Sequence, residues 1–248
     1  MELKFLNSTR GLVLSLLFLS ALLYALHYVI FRDFHHIAIY LLGDIAFLPI
    51  NVIIVTLIIE RVLSDREKSA RMEKLNMVIG AFFSEVGYHL LQFFSRGDPS
   101  LHRIRSELIM TGEWSEKDFL DTRMTLRNYE YHVDIERVSP EELRALLLQK
   151  RDFMLRLIEN PVLLEHETLT ELLMAVFHLT EEMILREDFK CLPGSDCQHL
   201  EGDMKRAYTL LIYEWLDYMK YLKYNYPYLF SLAMRTNPFN KDASAIVK

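Results

Sequence analysis

The apolar residues of this chain fall into two regimes. Near the N-terminus they form two almost continuous runs; from residue 61 onward they recur at spacings of three and four between polar positions. The first run, Gly11–Phe31, holds no residue charged at neutral pH. As a helix it would rise about 31 Å, the thickness of a bilayer's hydrocarbon core. A polar turn, Arg32-Asp33-Phe34-His35-His36, leads into the second run, Ile37–Ile59, which carries a charge only at Asp44. Both runs are long enough to span, and so short a connection predicts an antiparallel transmembrane hairpin. A secretory signal is the other reading of the first run. Its apolar stretch, however, exceeds the roughly 7–15 residues of a signal core, and no small-x-small cleavage site follows.

No linker rich in Gly, Ser or Pro follows Ile59. Met72, Leu75, Ile79, Phe82, Val86, Leu90 and Phe93 keep a helical period, so the second span is expected to continue as one helix to about Ser95. Arg96-Gly97-Asp98-Pro99 should stop it. The stripe has the spacing of a parallel dimer seam. Phe82-Phe83 and Phe93-Phe94 widen it, which favours packing on the chain's own domain. Further helices are expected over residues 101–110, over 116–129 with Ser115 as N-cap, over 168–186, over 199–224 and over 229–234. Another opens at Ser139-Pro140-Glu141-Glu142, which combines an N-cap, a first-turn Pro and a capping-box Glu, and runs to Glu159. Residues 131–138 read as a connector. The expected fold is all-α: a transmembrane hairpin over 1–60, a cytoplasmic helical domain over 61–238 and a disordered tail over 239–248.

Charge orients this picture. Lys4 and Arg10 precede the first span, and Arg61, Arg66, Lys68, Arg71 and Lys74 follow the second, while the turn holds only Arg32, offset by Asp33. Both termini should therefore face the cytoplasm, with the protein in the plasma (inner) membrane. The net charge is −6, and all but one of those negative charges lie beyond residue 60. An acidic chain lacks the concentrated basic face that nucleic acid requires. Two cysteines, Cys191 and Cys197, make no disulfide framework, and a zinc site wants four close ligands.

Candidate chemistry lies in two places. Asp44, Pro49 and Asn51 put a carboxyl, a kink and an amide into the second span, and intramembrane polar groups default to function. In the helical domain three carboxylate–histidine pairs stand at i,i+4 spacing: Glu85 and His89, His178 and Glu182, His199 and Asp203. Each pair projects from one helical face, and such pairs meeting in a bundle can hold a transition metal. With 34 acidic residues in the chain, the pairing alone decides nothing. No Gly-rich phosphate loop, nucleophile elbow, H-E-x-x-H or C-x-x-C occurs. The leading expectation is a membrane-anchored interaction or sensory protein without catalysis. Its expected partners are the lipid bilayer, a cytoplasmic protein and further copies of itself in a homo-oligomer, with no nucleic acid. The alternatives are a pore lined by the second span with Asp44 and Asn51 in its lumen, and a metal-dependent enzyme using the His/carboxylate pairs. No particular cofactor is specified.

Overall fold

A computed structural model describes residues 2–161, 163 and 166–247, with side chains from residue 11 onward. The side chains of Lys4 and Arg10, and the whole of Lys248, lie outside the described residues. All regular structure among these residues is helical. The chain divides into two compact units, Met1–Lys68 and Ser69–Lys248.

In the first unit, α1 (Glu2–Phe31) and the first part of α2 (Phe34–Phe82) are separated by Arg32 and Asp33 alone. Arg32 takes the left-handed conformation, φ 50°, which a non-glycine residue adopts at a tight turn. The Asp33 carboxylate then accepts from the His36 N–H at 3.1 Å and caps α2. Apolar side chains here point outward: Leu12 to Ile59 are exposed almost without exception. Two helices are thus long and apolar enough to cross a membrane, Gly11–Phe31 and the one that begins at Phe34.

The second unit is a helical bundle. Helical backbone runs without a break from Phe34 to Gly97, but one turn, Phe83–Gly87, is a π-turn leading into α3 (Tyr88–Gly97). A π-turn adds one residue to the helical repeat. Its effect here is that the neighbours Phe82 and Phe83 are both fully buried, as are Leu90 and Leu91. The glycine closing this turn is required: a Cβ on Gly87 would sit 2.5 Å from the Phe83 ring. Two 3₁₀ turns, Leu101–Arg103 and Arg105–Leu108, replace the short α-helix expected there.

The remaining helices are α4 (Glu116–Arg127), α5 (Pro140–Ile158), α6 (Glu167–Leu185), α7 (Gly194–Asn225) and α8 (Pro227–Arg235). At the start of α4, Ser115 and Asp118 form a full capping box. At α5 only half of one forms. Ser139 accepts from the Glu142 N–H, while the Glu142 carboxylate turns to Arg96 at 3.3 Å. The core is built on α7, packed chiefly against α6, with α5 on the far side of α6. Leu200, Met204, Ala207, Leu211, Trp215, Met219 and Leu222 form its apolar stripe, each large member adding about 1.5–3 kcal/mol on burial. Order continues past Arg235. Asn237 donates to the Leu108 carbonyl at 2.7 Å, and Phe239, 1% exposed, packs edge-on against Trp215.

Candidate metal centre

One polar residue interrupts the apolar stripe of α7. Asp203 lies between Leu200 and Met204 and is only 4% exposed. Its Oδ1 accepts from Arg206 at 3.1 Å, but its buried Oδ2 accepts no hydrogen bond. A buried carboxylate oxygen left without a donor is costly, and such atoms require an explanation. Two imidazoles supply one: His178 Nε2 stands 3.4 Å from Oδ2 and His199 Nε2 stands 3.3 Å from it. Glu182 completes the group, with Oε2 3.6 Å from His199 Nε2 and Oε1 3.9 Å from His178 Nε2.

The four ligand-type atoms all lie within 4.8 Å of one another. Four atoms at zinc-ligand distance from one ion, about 2.0–2.1 Å, stand roughly 3.4 Å apart in a tetrahedron. The four histidine–carboxylate separations, 3.3, 3.4, 3.6 and 3.9 Å, bracket that figure from just below to half an ångström above. The arrangement has a local two-fold character. Both α6 and α7 carry a histidine followed four residues later by a carboxylate, and the helices run antiparallel across a short loop. Each histidine therefore faces both its own carboxylate and the opposite one.

A guanidinium holds one of the two carboxylates, Glu182, charged. Arg186 donates Nη1 to Glu182 Oε2 at 2.7 Å. It also grips Asp196 with Nε at 2.8 Å and Nη2 at 2.6 Å. Its hydrogen bond keeps the Glu182 carboxyl below the usual carboxylate range, and Asp196 is lowered for the same reason. Arg186 thus ties the end of α6 to the first turn of α7 and orients one ligand, the task of an outer-shell partner. The two histidines are 48% and 51% exposed, so the site is closed on the Asp203 side and open to solvent on the imidazole side.

Two of the three expected pairs are brought together; the third is elsewhere. Glu85 lies in the π-turn and pairs with Lys150 at 2.8 Å. His89 is exposed on α3, outside the cluster. Asp44, Pro49 and Asn51 are exposed positions of α2, and among the described residues Asp44 makes no ion pair. Cys191 and Cys197 are free thiols. Arg186 and Asp196 border the cluster and are not among the sequence candidates, although Glu182 and Arg186 form an i,i+4 pair in plain view. The cluster overturns the leading expectation of a protein without catalytic capacity: two imidazoles and two carboxylates, one with a buried, unsatisfied oxygen, form a group that could hold a metal ion.

Fold and site define an all-α protein in which two apolar N-terminal helices precede a larger bundle carrying a two-histidine, two-carboxylate cluster. Comparison with known proteins gives this class a family. The chain belongs to the MJ1433 family: residues 4–63 match its N-terminal helical domain, and residues 71–235 match the domain described as "Uncharacterized protein MJ1433, C-terminal helical domain". It is 47% identical over 235 residues to the protein of that name from Methanocaldococcus jannaschii, covering 95% of this chain and 94% of the relative. No solved structure matches the chain.

Proposed function

We propose that the bundle binds one divalent transition-metal ion through His178, Glu182, His199 and Asp203 and uses it in hydrolytic chemistry. The observation that carries this reading is Asp203 Oδ2, buried without a donor and faced by two imidazole nitrogens. Neutral imidazole and carboxylate both present lone pairs, so their convergence favours a cation between them. Mixed N/O donors suit zinc, iron or manganese better than calcium or magnesium. Were a water to join the four side chains, or to replace one of them, on the solvent-open imidazole side, zinc would lower its pKa to about 7 and so supply a nucleophile at neutral pH. In this chain Asp203 fixes the closed side, Glu182 held by Arg186 supplies the second charge, and the half-exposed histidines border the approach.

The test is metal content. The full chain, purified without chelator, is expected to carry about one equivalent of a transition metal. After stripping, it should take up zinc or manganese stoichiometrically, and the variant H178A/H199A should not. Absence of a stoichiometric site in the wild type defeats the reading.

The apolar helices support a second element: the first unit anchors the bundle to a membrane as a hairpin, with both termini cytoplasmic. Its support is the exposed apolar surface of both helices and the surplus of Lys and Arg outside the turn. A reporter active only in the cytosol, fused after Lys248, should be active; an active periplasmic reporter at the same place reverses the topology.

A further inference from the structure

Several cations of the bundle are held in ion pairs. Arg96 pairs with Glu142, Arg123 with Asp217, Lys150 with Glu85, Arg151 with Glu181 and Lys220 with Glu116. Arg103 and Lys205 are two of several that make neither an ion pair nor a side-chain hydrogen bond among the described residues, and what sets them apart is their place. Both line one cavity of about 770 Å³ beside the loop that follows α3, and His132 lines it too. These three come from separate segments, and a single acid, Glu130, shares the wall. In a chain of net charge −6, unmatched cations converging on a cavity of ligand size mark a place for an anion.

The rest of the wall is held in position. Tyr129 lines the cavity, and its hydroxyl donates to Asp98 Oδ2 at 2.8 Å. The other Asp98 oxygen accepts from the Ser100 N–H at 2.9 Å. Both oxygens of this buried carboxylate thus accept from donors other than Arg103 and Lys205, while His132 lies near enough to feel its charge. Behind it, Tyr129 packs edge-on against Tyr131, and Tyr131 against Tyr208. The cavity therefore joins a fixed aromatic side chain to positive charge, and Thr125 also lines it.

We propose that this cavity binds an organic phosphate, with the phosphate between Arg103 and Lys205 and the organic part along Tyr129. The site is separate from the metal centre. Lys205 lies two residues beyond Asp203 on α7, about 200° further around the helix.

Calorimetry on the full chain in detergent, kept metal-free with EDTA, tests the assignment using inorganic phosphate, adenosine monophosphate and adenosine as probes. Adenosine monophosphate should bind about tenfold more tightly than phosphate, the gain expected from stacking on an aromatic side chain. Arg103→Gln and Lys205→Gln, both surface substitutions, should each weaken phosphate and nucleotide about tenfold while leaving the circular dichroism spectrum unchanged. Adenosine binding as tightly as its phosphate, or unchanged binding in the double variant, overturns the anion site. So does the lack of saturable binding of either phosphate probe. Equal affinity for phosphate and nucleotide overturns the role of Tyr129. Because chelator is present throughout, failure of the metal centre would leave these outcomes unaffected.

Discussion

Asp203→Asn separates the cost of the candidate centre from its use. The amide keeps an oxygen for Arg206, which now bonds Oδ1 at 3.1 Å, and puts an N–H₂ donor where Oδ2 faces His178 and His199. In the metal-free protein the substitution removes a buried acceptor oxygen that has no donor, a penalty of about 1–3 kcal/mol. For a domain of this size each kcal/mol moves Tm by about 2–4 °C. Metal-free Asp203→Asn should therefore melt at least about 2 °C above the metal-free wild type. With zinc or manganese at about 100 times Kd the wild type gains roughly 2.7 kcal/mol, a rise of about 5–11 °C. The variant has lost an anionic ligand and should gain little. The assay is paired thermal melts followed by tryptophan fluorescence, with chelator and with metal. If the variant is less stable without metal, or gains as much from metal as the wild type, the reasoning about Oδ2 is wrong.

Ser115→Ala removes the N-cap of α4, where the Asp118 N–H bonds the Ser115 hydroxyl; chemical denaturation should show a loss of about 0.5–2 kcal/mol. Gly87→Ala forces a Cβ to within 2.5 Å of the buried Phe83 ring and should cost about 1–3 kcal/mol, readable in the same experiment; no loss would mean that the π-turn relaxes. Glu214 is 5% exposed and burial raises its pKa, against the pull of His166 and the Thr168 hydrogen bond. A raised folded-state pKa means that stability is complete below the unfolded value of about 4.3 and is lost as pH rises through the folded pKa. Glu214→Gln should accordingly raise Tm at neutral pH, with the gain shrinking toward zero in acid; a gain independent of pH rules out this linkage.

Local signals were legible in the sequence, and tertiary ones were not. Ser115 and Ser139-Pro140 mark helix starts found within a residue, because caps depend on chemistry inside one turn. The long helix expected to stop near Ser95 ends at Gly97 for the same reason. The π-turn was invisible: it depends on burying Phe82 and Phe83 together, which periodicity alone cannot report. The sequence predicts the start of α7 at His199, five residues late, because Gly194 and Cys197 lack an apolar period, while Asp196 is fixed by Arg186 across the loop. The candidate site divides likewise. Spacing of i,i+4 exposed three equivalent pairs. Which of them meet is decided by the antiparallel packing of α6 on α7, and Glu85 was claimed by a lysine 65 residues away. Asn237 and Phe239 show the same limit, since their partners Leu108 and Trp215 are remote in sequence.

All four ligand-type side chains come from a single αα-hairpin, residues 178–203, whose arms are joined by eight residues between Leu185 and Gly194. An ion bound there is a cross-link between the two arms, closing a small ring in the chain that the Arg186–Asp196 contact already narrows. Local opening of the hairpin end then requires release of the ion, and the amides of the loop should exchange with solvent more slowly in the loaded protein. Cys197, half-buried in the first turn of α7, sits inside that ring. The rate at which a thiol reagent labels it becomes a measure of metal occupancy, which gives a reporter to a cysteine that takes no part in binding.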